Sequence, residues 1–141
     1  MRQHSVFTWL IIITVVLLCA KLLLPTVTDM PTPATRMKQL AKIEMGNLCA
    51  ALQAFESEYG QSPNGSSSNI LETLLGKNPR KIVFLDIDKK RLNGRGEYLD
   101  PWDNPYHLDT SEADKPRIYS NGPNKRDDFA AERSDDIASW R

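Results

Sequence analysis

From Val6 to Leu24 the chain reads VFTWLIIITVVLLCAKLLL, 19 residues in which Lys21 is the only charge. Nothing else in the sequence restricts the fold as strongly. Coiled as an α-helix the run is about 28 Å long, near the hydrocarbon thickness of a bilayer, so one transmembrane helix over 6–24 is expected. Lys21 near one end can extend its stem toward the headgroups, and Trp9 near the other suits the opposite interface. Residues 1–5 then form a short N-terminal tail. The competing reading is a secretory signal peptide with Val6–Leu18 as its apolar centre. It is weak at the cleavage site, because Leu18 stands where a small residue is needed, both for a cut after Ala20 and for a lipoprotein cut before Cys19. Orientation is left open: Arg2 precedes the run, and Arg36, Lys38 and Lys42 follow it.

The remainder is polar enough to bring the mean hydropathy down to −0.44. At 141 residues the chain supports one domain of ordinary size. Its 18 Lys and Arg against 18 Asp and Glu leave no net charge, and no basic stripe interleaved with aromatics exists, which excludes a nucleic-acid-tracking groove. Cys19 lies in the apolar run and Cys49 in a helical stretch, so both read as small hydrophobes rather than as a bridge or a metal pair.

Pro25, Pro31 and Pro33 mark 25–33 as a kink or linker. From Ala34 to Tyr59 the apolar residues Met37, Ala41, Met45, Leu48, Leu52, Phe55 and Tyr59 recur at helical spacing. Lys38, Lys42, Asn47, Gln53 and Glu56 take the opposite face, and Gly60 suits a C-terminal cap. A turn-forming loop, Gln61–Asn69, precedes a short helix through Leu74 and Leu75 that Ser68 or Asn69 can cap and Gly76 can close. Beyond Pro79, strands are expected at Lys81–Ile87, Tyr98–Leu99, Tyr106–Leu108 and Arg117–Tyr119. A long helix followed by short turn-linked strands predicts an α+β domain over 34–141, with a small antiparallel sheet on the Met37–Tyr59 stripe.

Enzyme chemistry finds little support. Only His4 and His107 occur, so one possible base serves any triad, and no GxSxG, P-loop, GxGxxG or CxxC is present. The unusual feature is the C-terminal loop 120–140, with Asp127-Asp128, Asp135-Asp136, Asn121, Asn124 and Glu132. Hard oxygen donors in an irregular segment suit Ca²⁺, although the spacing is not an EF-hand. A solvated loop offset by Lys125, Arg126 and Arg133 is the plainer alternative. Glu97, Asp100 and Asp103 are a second acidic spot, but Asp100-Pro101 and Asn104-Pro105 read better as turn initiators.

Three stretches together carry a resemblance. Phe7-Thr8-Trp9-Leu10-Ile11 is similar to the FTLIE start of pilin-like proteins. Leu99-Asp-Pro-Trp-Asp-Asn-Pro-Tyr106 is similar to a DPWGNPY element, and Ile118-Tyr-Ser-Asn-Gly-Pro-Asn124 with Ser134-Asp-Asp-Ile-Ala-Ser-Trp140 to an S-x-G-x-D … DDI-x-x-W ending. The chain thus resembles the type IV pilin-like pseudopilins, in particular the major (G-type) pseudopilin of type II secretion.

The resemblance implies a non-enzymatic fibre subunit held in the bacterial inner membrane by one span, with its C-terminal domain in the periplasm. Its partners would be other pseudopilin subunits and the inner-membrane assembly platform. It also implies a structural Ca²⁺ site, which by position falls on Asn124, Asp135 and Asp136 with the Asn121 carbonyl. Asn124 replaces an Asp, so the site has one negative charge fewer unless Asp127 or Asp128 compensates. Val6 stands where the family's peptidase cuts after Gly, and Ile11 where the family has a Glu that pairs with a neighbouring subunit. Those departures keep a second expectation open, a membrane-tethered periplasmic binding module that does not polymerise and uses Trp102, Tyr106 or Trp140 as anchors.

Overall fold

The computed structural model describes residues 3–23, 31–112 and 115–141, and its contacts divide the chain between Thr32 and Pro33. In the first unit α1 is a helix over Gln3–Leu23, so helix begins inside the expected tail. The side chains described in α1 run from Trp9 to Lys21, and those from Trp9 to Cys19 are all exposed. Among the described residues no helix is long and apolar enough to cross a membrane. Most of the expected 25–33 linker lies outside the described residues.

The second unit opens with α2, Pro33–Tyr59. Pro33 is therefore helical rather than part of a linker. A proline suits a first helical position, where its missing N–H would have had no partner in any case. The buried face of α2 is Ala41, Glu44, Met45, Leu48, Ala51, Leu52 and Phe55. Two members of the expected stripe fall outside it: Met37 is exposed and Tyr59 half-buried. The helix stops where Gly60 takes φ 71° and its N–H bonds to the Glu56 carbonyl at 2.7 Å.

A second helix, α3, covers Ser67–Leu74 and adds Ile70, Leu71 and Leu74 to the core. Its cap is Ser66, not Ser68 or Asn69: the Ser66 hydroxyl accepts the Asn69 N–H at 3.3 Å. Lys81–Ile87, expected as a strand, is irregular chain without a ladder, and opens with Lys81 in the left-handed region at φ 54°. Its backbone groups are already bonded locally. Phe84 and Leu85 N–H share the Leu74 carbonyl at 2.9 and 3.2 Å, while Asn78 bonds both the N–H and the carbonyl of Ile82. Those bonds satisfy what a neighbouring strand would have satisfied.

The sheet is antiparallel in the order β1 (His107–Asp109), β2 (Arg117–Ser120), β3 (Ile137–Ala138). Leu108 faces Ile118 in the first pair, and Ser120 faces Ile137 in the second. β3 was not expected, being two residues long and set in an acidic loop. Tyr98 and Leu99 make only isolated bridges, to Leu92 and Pro105. Alternation along β2 sends Ile118 and Ser120 into the core against α2, and leaves Arg117 exposed with Tyr119 on the outer face. So the α+β expectation of a helix on a small antiparallel sheet holds.

Candidate metal centre

Two loops carry the polar chemistry of this unit, and both meet at the end of β2. The first is Leu99–Tyr106. Asp100 is 1% exposed, and its Oδ1 accepts the N–H groups of Trp102 and Asn104, each at 2.8 Å. Oδ2 accepts the Asn104 amide at 3.0 Å and the Ser120 hydroxyl at 2.5 Å. The Asn104 amide also donates to the Gly122 carbonyl at 3.0 Å, and Ser120 Oγ accepts the Gly122 N–H at 3.0 Å. Asp100 is a turn initiator as its sequence context suggests, and also a buried clamp between turn and sheet. Asp103, in the left-handed region at φ 66°, is exposed and belongs to no acidic site.

The second loop follows Ser120 and returns as β3. Carboxylate oxygens of Asp128, Asp135 and Asp136 lie within 4.8 Å of one another. Oδ2 of Asp136 accepts the N–H groups of Asp128 at 3.2 Å and Ala130 at 2.8 Å, while its Oδ1 is buried with no partner among the described residues. None of the ion pairs among the described residues involves these three acids. Negative charge crowded without a cation is unfavourable, and a buried oxygen without a donor costs about 1–3 kcal/mol. Both costs would be relieved by a hard cation, whose preferred ligands are carboxylate oxygens.

Of the expected ligands, Asp135 and Asp136 come together. Asn124 is beside them but acts as a donor. Its side-chain amide bonds Asp135 Oδ1 and lies 3.5 Å from Asp128 Oδ2, its own N–H meets Asp135 Oδ2 at 3.0 Å, and its Oδ1 accepts the Arg126 N–H at 2.6 Å. The group expected of Asn121 is its carbonyl, and its side chain is taken up separately, Oδ1 lying 2.9 Å from His107 Nε2. Asp127 is likewise occupied: it accepts the Tyr119 hydroxyl at 3.2 Å and the Phe129 N–H at 3.0 Å. Gly122, at φ 65°, is required by close approach, because a Cβ there would stand 2.4 Å from the Asp135 carbonyl oxygen.

His107 is stacked on Tyr119, with ring centroids 4.3 Å apart. Burial and the nearby Asp127 push the Tyr119 hydroxyl up to about 12. Of the aromatics named as recognition anchors, Tyr106 is 1% exposed and belongs to the core, and Trp102 packs against that core. Trp140 stays exposed at the edge of Tyr119, beneath Arg117. One further cluster was not anticipated. Glu44 lies on the buried face of α2 and takes two bonds from Arg91, at 3.0 and 3.2 Å, and one from the Tyr106 hydroxyl at 2.7 Å. Its signal was present as a charge at stripe spacing, three residues after Ala41 and four before Leu48. Burial and then Glu44 raise the Tyr106 pKa, and the same causes push Tyr98 up to about 12.

No curated protein and no solved structure matches the chain. A family described as type II secretion system (T2SS), protein G, matches residues 29–140. That match takes in α2, the Asp100 turn, the sheet and the acidic loop, and the chain belongs to the type II secretion protein G family, the major pseudopilins.

Proposed function

We propose that this chain is a non-enzymatic pseudopilin subunit of a bacterial type II secretion assembly. In this reading the apolar run 6–24, of whose side chains the structure describes those from Trp9 to Lys21, anchors it in the inner membrane by a single pass, the domain from Pro33 onward lies in the periplasm, and Ca²⁺ ties down the C-terminal loop. The observation that carries it is the family match over residues 29–140. The character of α1 supports the anchor: from Trp9 to Leu18 every side chain but Thr14 is apolar and exposed, and the Thr14 hydroxyl is bonded to carbonyls of its own helix, an arrangement suited to lipid or to other apolar helices rather than water. A structural role also suits His107, the one candidate base in the domain, which is engaged by Asn121 and the Tyr119 ring.

Calcium, when bound, would supply a compact double positive charge at the loop. The chain's own part is to present oxygens. Asp136 orders the backbone through Oδ2 and keeps Oδ1 free, and Asp135 is held in place by Asn124. Partners in this reading are other pseudopilin subunits and the membrane platform on which they assemble.

Crosslinking tests the subunit role. Single cysteines placed within Val6–Leu24 of the full chain, in a background lacking Cys19 and Cys49, should give ladders of regularly spaced copies in membranes. Monomers, or one crosslinked partner of another kind, would replace the fibre with a tethered module.

A further inference from the structure

We infer that Asp128, not Asn124, supplies the third side-chain ligand of the calcium site, and that Asn124 is a positioning residue which holds Asp135. This rests on the calcium reading proposed above and goes beyond it by naming a ligand exchange within the loop.

The orientation of Asn124 is decided by its neighbours. The Arg126 N–H can only face an oxygen, and the carboxylates of Asp135 and Asp128 can only accept from an NH₂ group. Both requirements put the Asn124 oxygen away from the acids. An amide turned this way presents partial positive charge where a ligand oxygen would be wanted. Asp128 is placed differently. Its backbone N–H is bonded by Asp136 Oδ2, which brings residue 128 to the site, and its carboxylate reaches within 4.8 Å of oxygens of Asp135 and Asp136. The independent sign of a ligand is Asp136, 6% exposed, with Oδ1 unpartnered and Oδ2 already used.

Two consecutive residues in the left-handed region, Phe129 at φ 55° and Ala130 at φ 50°, follow Asp128 directly. Neither is glycine, and each conformation is unfavourable for an L-residue with a side chain. The left-handed Phe129 lies between the N–H groups of 128 and 130, which converge on one carboxylate oxygen. The neighbouring acid, Asp127, points instead to Tyr119.

The test is calcium titration calorimetry on the detergent-solubilised full chain after chelator treatment, with circular dichroism as the check on folding. Asp128→Asn should weaken binding by about tenfold or more, since a hard cation loses a charged ligand. Asp127→Asn should stay within about twofold of wild type, because its partner is Tyr119. The pair Asn124→Asp with Asp128→Asn should recover most of the lost affinity by returning the charge to position 124. Wild-type binding with an unaltered Asp128→Asn overturns the ligand exchange alone. A wild type that takes no calcium overturns the calcium reading and this inference with it.

Discussion

Asp100 and Asp136 are both almost wholly buried aspartates at the end of the same sheet, yet one is complete and the other is not. Asp100 has four donors on its two oxygens. Asp136 has two donors, both on Oδ2, and beside it are Asp128 and Asp135 rather than a base. The difference teaches that burial of a carboxylate need not imply a ligand. A turn rich in N–H groups can satisfy the charge from within the chain, whereas crowded acids need a partner from outside. Glu44 shows a third solution, in which the partner is the guanidinium of Arg91.

The comparison breaks most visibly at Asp100. Asp100→Ala strands four donors at once, so unfolding of the solubilised full chain should show a loss on the order of 3 kcal/mol or more. That loss should be the same with calcium and with chelator. A loss that calcium reverses would mean the two loops form one site. Glu44→Gln comes next, at about 2 kcal/mol, because Arg91 keeps its charge and Tyr106 loses a charged acceptor. This effect too should be indifferent to calcium, and denaturation in both conditions checks it.

The smallest effect concerns Tyr119, whose hydroxyl donates to Asp127. A pKa raised from 10.0 to about 12 in the fold means that the contribution is complete below pH 10 and lost as pH rises through about 12. The absorbance difference between wild type and Tyr119→Phe should therefore show a step near pH 12. A step near pH 10 would free Asp127 from Tyr119 and reopen its role in the loop.

Much of the fold was legible because it depends on period and punctuation. The spacing of Ala41, Met45, Leu48, Leu52 and Phe55 and the stop at Gly60 follow from local geometry alone. What escaped depends on where backbone bonds go. Lys81–Ile87 has a strand's composition, but Leu74 and Asn78 hold its polar groups first. Ile137–Ala138 has no strand composition, yet it pairs with β2. The acidic loop was visible as a set of oxygen-bearing side chains, of which Asp128, Asp135 and Asp136 lie together. The orientation of Asn124 was not visible, since an amide offers an acceptor or a donor according to neighbours that sequence spacing does not place.

Gly122 lies between the two acid clusters. Its N–H and carbonyl are held by Ser120 and Asn104 on the side of the Asp100 turn, and its bare Cα admits the Asp135 carbonyl on the other. The two loops are therefore joined through a contact with no side chain in it. Such a joint has no rotamer to adjust, so any side chain at 122 would have to displace main chain on one side or the other. The turn and the acidic loop thus meet along a seam that a single missing methyl group keeps closed, each loop holding its own donors.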